Sequence, residues 1–235
     1  MFTLFFVDDL PTTVGAHYEF ANEDANHAIR VLRMQPGSEF MLSDGNGAWS
    51  QVKAVEVSKK SMQVQVIDSG FQEALATTIT VVQALPKGDR SKEAIELLTE
   101  AGVDRIVPWA ATRSIGKGAY KFAITAREAS KQSRRFRIPQ VIGVASTSIV
   151  VDEIAKADLA IVFHESATQK VSELVHLGAQ KVLVIIGPEG GLTDEEVDLF
   201  AASGAKVALM GRPVLRSAHA GLAALAAVNT ALSVW

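Results

Sequence analysis

Two glycine-bearing segments hold the residues best suited to chemistry: IGPEGGLT, Ile186 to Thr193, and LMGRP, Leu209 to Pro213. The apolar run Val182–Ile186 reads as a buried strand. It breaks at Gly187-Pro188-Glu189-Gly190-Gly191 and resumes at Thr193, with Glu196 three residues on. That is the spacing of a capping box, so a helix opens there. In open α/β sheets, ligands bind at such strand-to-helix turns, beyond the carboxyl ends of the strands. Gly187, Gly190 and Gly191 allow backbone to approach a ligand closely. Gly211 sits in a second turn of the same kind, and two glycine loops at adjacent strand ends predict one cofactor pocket.

The turns match neither of the common phosphate-binding loops. The G-x-G-x-x-G spacing and the Gly-Lys-Ser/Thr ending are both absent, which disfavours dinucleotides and nucleoside triphosphates. The chain has no cysteine, which removes disulfides, thiolate nucleophiles and cysteine-bound zinc, and fits a reducing compartment. No metal site is expected. Arg216 follows an apolar pair in a loop, where a buried charge needs a partner. That partner is a ligand or a carboxylate such as Glu189. Phe163-His164-Glu165 lies at another strand end and supplies a third pocket segment.

The net charge is −3, so no overall basic field announces a polyanion. Arg113–Arg137 departs from this, with eight basic residues against one acid, Glu128, a net of +7. Lys117, Lys121, Arg127 and Arg137 belong to this run alongside Arg113, Lys131, Arg134 and Arg135. Such a patch is a candidate polyanion footprint; a solvated helix face is the alternative. Arg30 and Arg33, three apart on an expected helix, would share a face. Lys87 and Arg90 follow the first strand of the second half, and Gln132 is polar enough to reach a base.

These residues must be positioned by two kinds of architecture. Residues up to about 70 read as β-rich, with strands at Thr3–Val7, Glu39–Leu42, Gln51–Val57 and Met62–Ile67 and one helix from Asn22 to Met34. Asp44-Gly45-Asn46-Gly47 signals a turn, and the whole describes a small barrel. The N-terminus reads as a first strand, not a signal peptide, and no apolar run reaches a membrane span. Beyond Gly70–Thr77, strands at Ile79–Leu85, Arg105–Pro108, Leu159–Phe163, Val182–Ile186 and Val207–Met210 alternate with helices. Those helices are expected at Ser91–Ala101, Phe122–Arg135, Val171–His176, Asp194–Ala202 and Ala218–Leu232. The alternation predicts a parallel sheet covered on both faces.

IGPEGGLTDEEV (Ile186–Val197) with LMGRPVLRSAHAGLAALAAVNTAL (Leu209–Leu232) closely resembles the C-terminal signature of the ribosomal RNA small-subunit methyltransferase E family, in the SPOUT superfamily. The resemblance extends to Leu85–Ser114, to AREASKQSRRFRIP (Ala126–Pro139) and to His27–Gly47, and covers nearly the whole chain. One departure stands out. Many members carry Thr-Glu-Thr-Ala where this chain has Ser217-Ala218-His219-Ala220, so a role for that glutamate is not carried over.

The resemblance implies a PUA-like β-barrel RNA-binding domain over 1–72. It implies a SPOUT α/β parallel-sheet domain with a C-terminal trefoil knot over 73–235. It implies methyl transfer from S-adenosyl-L-methionine to N3 of a uridine in 16S ribosomal RNA of the small subunit, by a cytoplasmic homodimer that uses no membrane. The cofactor residues it implies are Phe163, His164, Glu165, Ile186, Gly187, Pro188, Gly190, Gly191, Met210, Gly211, Leu215, Arg216, Ala218 and Ala220. Arg216 is the catalytic candidate; Glu165, Glu189 and His219 are open as general base. The RNA track is Arg30, Arg33, Lys87, Arg90, Arg113, Lys131, Gln132, Arg134 and Arg135. The dimer is expected on the C-terminal domain, with Leu222, Leu225, Val228 and Leu232 as an apolar face extended by Trp235. A related enzyme acting on another RNA and a non-catalytic ribosome-assembly factor are the alternatives.

Overall fold

The structure, a computed structural model, describes residues 2–116, 118–175 and 178–235. Lys117 and His176 therefore lie outside the described residues. The chain forms two compact units: Met1–Ala74 with Ser130–Ile138, and Leu75–Ala129 with Pro139–Trp235. The sequence boundary at 72/73 had left Ser130–Ile138 in the second domain.

The first unit contains β1 (Leu4–Phe6), β2 (His17–Phe20), α1 (Glu23–Arg30), β3 (Glu39–Ser43), β4 (Ala48–Val57) and β5 (Met62–Phe71). They form a curled sheet in the order β1-β3-β4-β5-β2, antiparallel except for β1 beside β3. Register shifts in β4 bend it against β5. Its core is built on Phe5, Phe20 and Phe40, with ring centroids 5.4–5.6 Å apart.

Ser130–Ile138 completes this unit. Phe136 stacks on Trp49, and the Ile138 N–H donates to Gly45 O at 2.9 Å. Arg137 Nη2 donates to Gln72 O at 2.8 Å. Gly47 has φ +112°, and a Cβ there would meet Gln72 O at 2.6 Å, so the close approach requires glycine.

The second unit runs β6 (Thr78–Ala84), α2 (Arg90–Glu100), β7 (Arg105–Trp109), α3 (Phe122–Ser133, its last turn in the first unit), β8 (Gln140–Val141), α4 (Thr147–Lys156), β9 (Leu159–Phe163), α5 (Val171–Leu174), β10 (Lys181–Ile186), α6 (Asp194–Ala202), β11 (Lys206–Ala208) and α7 (Ser217–Ala231). Its six strands are all parallel, in the order β11-β9-β10-β6-β7-β8. Both faces are covered. Ile79, Val81, Val182 and Val184 join one core with Leu98 and Leu225, whereas Val82, Leu183 and Ile185 join the other with Trp109, Val150 and Phe200. Burial on both faces is why these strands read as unbroken apolar runs.

Several elements differ from the sequence reading. β2, β8 and α4 were not anticipated. α4 carries Thr147, Ile149, Val150, Val151 and Ile154, β-branched residues with weak helix preference; packing of Val150 and Ile154 in the core decides for helix.

The first helix stops at Arg30, not Met34. Arg33 has φ +54° and the Met34 N–H reaches back to Ala28 O, a left-handed helix stop. Arg33 thus shares no helix face with Arg30. α3 stops the same way, with Arg134 at φ +56°.

The expected dimer face of α7 is mostly interior. Leu225, Val228 and Leu232 are buried in the chain's own core and Leu222 packs partly against it, while Trp235 is exposed. Gly221 explains the close seating, since a Cβ there would meet Leu98 Cδ2 at 2.6 Å.

Glu153 of α4 is buried and accepts from Arg105 of β7 and from Lys156 at 2.9 Å. The Arg105 hydrogen bond, more than any other contact, holds its carboxyl below the ordinary carboxylate pKa. A lowered folded pKa adds stability above the unfolded value, and that stability is lost as pH falls through the folded one. Glu153→Gln should therefore be less stable than the parent chain at neutral pH. Urea unfolding across a pH series should show that gap narrowing towards acid; a gap constant with pH would refute the assignment.

Candidate functional site

The loops after β9, β10 and β11 meet at the carboxyl ends of their strands and line one cavity of about 580 Å³. The two glycine loops do not leave neighbouring strands. β9 lies between β10 and β11, so Phe163-His164-Glu165 forms the middle of the wall. The His164 N–H donates to Ala208 O at 3.1 Å, and the Leu209 N–H to Gln169 O at 2.8 Å, tying the β9 and β11 loops together. His164 Nδ1 lies 2.7 Å from Ser166 Oγ and 3.3 Å from Ser166 N, so the ring is held against its own loop.

The β10 loop is the most constrained. Thr193 caps α6 through the Glu196 N–H at 3.2 Å, and Glu196 returns Oε2 to the Thr193 N–H at 3.0 Å, the capping box expected from the sequence. Gly191 has φ +73°, a conformation that side chains disfavour. The Ser217 hydroxyl donates to Gly187 O at 2.7 Å and accepts from Gln83 Nε2 at 3.0 Å. Gln83 is fully buried in β6. This relay joins the centre of the sheet, the first turn of α7 and the start of the glycine loop. Its sequence signal was a glutamine among the apolar residues Val81, Val82, Ala84 and Leu85.

Every cofactor candidate named from the sequence lines the cavity except Ala218, which is buried at 2% exposure in the first turn of α7. The sequence reading missed Leu192, Leu209, Arg212, Pro213, Val214 and Ser217 as lining residues. Arg90 and Arg113, read as RNA contacts, also line the cavity. Gly211 lines the cavity, and a Cβ on it would meet nothing nearer than Pro213 Cδ at 4.0 Å, chain neighbours aside.

Charge in the site is unevenly satisfied. Glu189 Oε1 accepts the Lys87 N–H at 3.2 Å and lies 3.7 Å from Arg90 Nη1, while Oε2 is buried without a partner. Glu189 is thus engaged by Arg90, not by Arg216. The side chains of Arg212 and Arg216 make no hydrogen bond or ion pair among the described residues and are exposed at the cavity. His219 lies off the cavity, 3.1 Å from Glu93 on α2.

The basic run is divided between the two units. Arg113 belongs to the second unit, and Lys131, Gln132, Arg134, Arg135 and Arg137 to the first. Lys131 pairs with Asp24 at 2.7 Å with both side chains only 12% exposed. Arg134 Nε donates to Phe2 O at 3.1 Å. Gln132 and Arg30 are exposed.

Residues 73–229 match the RNA methyltransferase domain family and residues 20–67 the RNA methyltransferase PUA domain family. The ribosomal RNA small subunit methyltransferase E of Mycobacterium bovis is 35% identical over 99% of this chain and 93% of its own length. That of Bacillus subtilis is 26% identical over 95% and 91%. A Legionella pneumophila protein solved in complex with the bound cofactor SAM superposes with a TM-score of 0.89 at 25% identity, over 98% of both chains. Full-length similarity of this kind, on a parallel sheet whose signature segments converge on one cavity, means that the chain belongs to the ribosomal RNA small subunit methyltransferase E family.

Proposed function

We propose that the protein methylates N3 of a uridine in 16S ribosomal RNA, using S-adenosylmethionine. The observation that carries this reading is the convergence of Phe163–Glu165, Ile186–Gly191 and Leu209–Ser217 with Ala220 on a single cavity.

The residues present fit the cofactor. Ile186, Met210, Leu215 and Ala220 offer apolar walls for adenine and the methionine chain. The glycine loops offer backbone groups, and the partnerless Glu189 Oε2 offers an acceptor for an amino or hydroxyl group. When bound, the cofactor supplies an activated methyl group on a sulfonium.

The chain's own residues then have two tasks. The first is alignment of the uridine nitrogen, which can contribute roughly 7–11 kcal/mol. The second is management of the N3 proton and of the charge left behind. Arg216, exposed at the cavity and unpaired among the described residues, stabilises negative charge on the flanking carbonyl oxygens. Of the three base candidates, Glu165 lines the cavity with no partner among the described residues, and we assign it the proton.

The same reading includes a cytoplasmic homodimer. Support for a second copy comes from exposed Val214, Leu215 and Trp235, since the α7 face is used internally. It also includes the knot. The resemblance implies it, and α7, which follows the edge strand β11, packs on α2, β6 and β10 in the manner such a return would need. The Ala218 departure gives an assembly-factor reading little weight, because that position does not line the cavity.

Mass spectrometry of ribosomal RNA nucleosides from a deletion strain and its complement should show 3-methyluridine lost and restored; an unchanged level would sink the reading. Gly211→Val should abolish S-adenosylmethionine binding by calorimetry while leaving thermal unfolding near the parent value, because the position lines the cavity and a Cβ there, chain neighbours aside, has no protein atom nearer than 4.0 Å. Single-turnover assays should find methyl transfer by Arg216→Ala and Glu165→Gln reduced at least about 100-fold, the lower range for loss of charge stabilisation or acid–base function. RNA affinity should change far less, and equal losses in both would remove these residues from the reaction.

A further inference from the structure

The glycine loop after β10 is held from outside by a side chain that its sequence context suggested for RNA. Arg113 follows β7, and its Nη1 donates to two carbonyl oxygens of the loop, Gly190 O at 3.1 Å and Leu192 O at 3.2 Å. The neighbouring Thr112 N–H donates to Glu196 Oε1 at 2.8 Å. Glu196 is 4% exposed and closes the cap of α6. Two successive residues therefore grip the end of the loop and the first turn of the helix behind it.

The geometry at the contact is close. The two carbonyls flank Gly191, the residue with φ +73°. A Cβ on Gly190 would stand 3.2 Å from Arg113 Cβ. Arg113 and the loop it holds both line the cavity. A guanidinium suits this task because its N–H groups are arranged as a rigid fork and its charge is permanent. Paired N–H groups of that fork are also what recognise a phosphate, and Nη1 is already committed to the two carbonyls.

We propose that Arg113 is a positioning residue for the cofactor. It fixes the peptide units around Gly191, so the backbone facing the cavity is set before the cofactor arrives. The inference rests on the S-adenosylmethionine reading above.

The test uses the full-length chain and its Arg113→Ala and Arg113→Lys variants. Three quantities are measured: S-adenosylmethionine affinity by calorimetry, KM and kcat for methyl transfer, and RNA affinity by filter binding across a salt series. Hydrogen bonds from a charged donor are the stronger kind, so Arg113→Ala should weaken cofactor affinity by about tenfold or more. Its KM for the cofactor should rise more than kcat falls. Arg113→Lys, a point charge without the fork, should recover part of the loss. The salt slope of RNA binding should match the parent chain.

A salt slope lowered by about one unit with cofactor affinity intact would overturn the proposal and make Arg113 a phosphate contact. Parent-like cofactor affinity in both variants would overturn it as well. If Arg113→Ala does not fold, Arg113→Lys decides: weakened cofactor affinity with an unchanged salt slope supports the proposal, and parent-like affinity overturns it. If the parent chain itself fails to bind S-adenosylmethionine, the cofactor reading falls and takes this inference with it, an outcome distinct from the others.

Discussion

The hydroxyl of Ser217 donates to the carbonyl of Gly187 while accepting from the amide of Gln83, and the cavity depends on that short relay. A strand that ends in a glycine-rich turn leaves backbone acceptors with no ladder partner, and buried acceptors must be satisfied from somewhere. Here the donor comes from the first residue of α7, a helix that begins 30 residues later in the chain. The relay therefore fixes the β10 loop and the start of α7 relative to the middle of the sheet. Gly221 extends the same constraint, because only a residue without a side chain lets α7 approach Leu98 of α2 so closely.

Around this anchor further polar groups of the loop are taken up by separate elements. Lys87 and Arg90 engage the carboxylate of Glu189, and Arg113 engages the carbonyls beyond it. The segments after β6 and β7 thus hold the β10 loop in place. Such preorganisation suits a reaction whose electrophile is already activated, where the protein contributes alignment and fixed charge. It also divides the arginines of the site. Arg90 and Arg113 are occupied by the protein, whereas Arg212 and Arg216 are exposed at the cavity and unpaired among the described residues.

The first unit is assembled on a different principle. Its sheet encloses an aromatic core, and it is completed by Ser130–Ile138, more than fifty residues beyond its own last strand. Trp49 and Phe136 stack, and Gly47 admits Gln72 and Phe136 to the same turn. Basic residues that look like one patch along the chain thereby serve different units.

What the sequence by itself determined was local. The Thr193–Glu196 cap, the helix after it and the apolar strands Val182–Ile186 and Leu159–Phe163 follow from interactions between residues a few positions apart, or from burial on both faces of a sheet. The glycine loops were legible for the same reason, and so was the pocket they line. Tertiary structure alone decided the rest, because each remaining feature depends on partners far away in the chain. The order of strands puts β9 between the two glycine loops. The packing of Val150 and Ile154 makes a helix of a β-branched segment. The α7 face built on Leu225 and Val228 has the apolar periodicity of an interface, but α2 and the sheet already cover it. The charge of Arg113 was visible from the start; that it meets two backbone carbonyls was not, since a carbonyl's position is a property of the fold and leaves no mark in residue types.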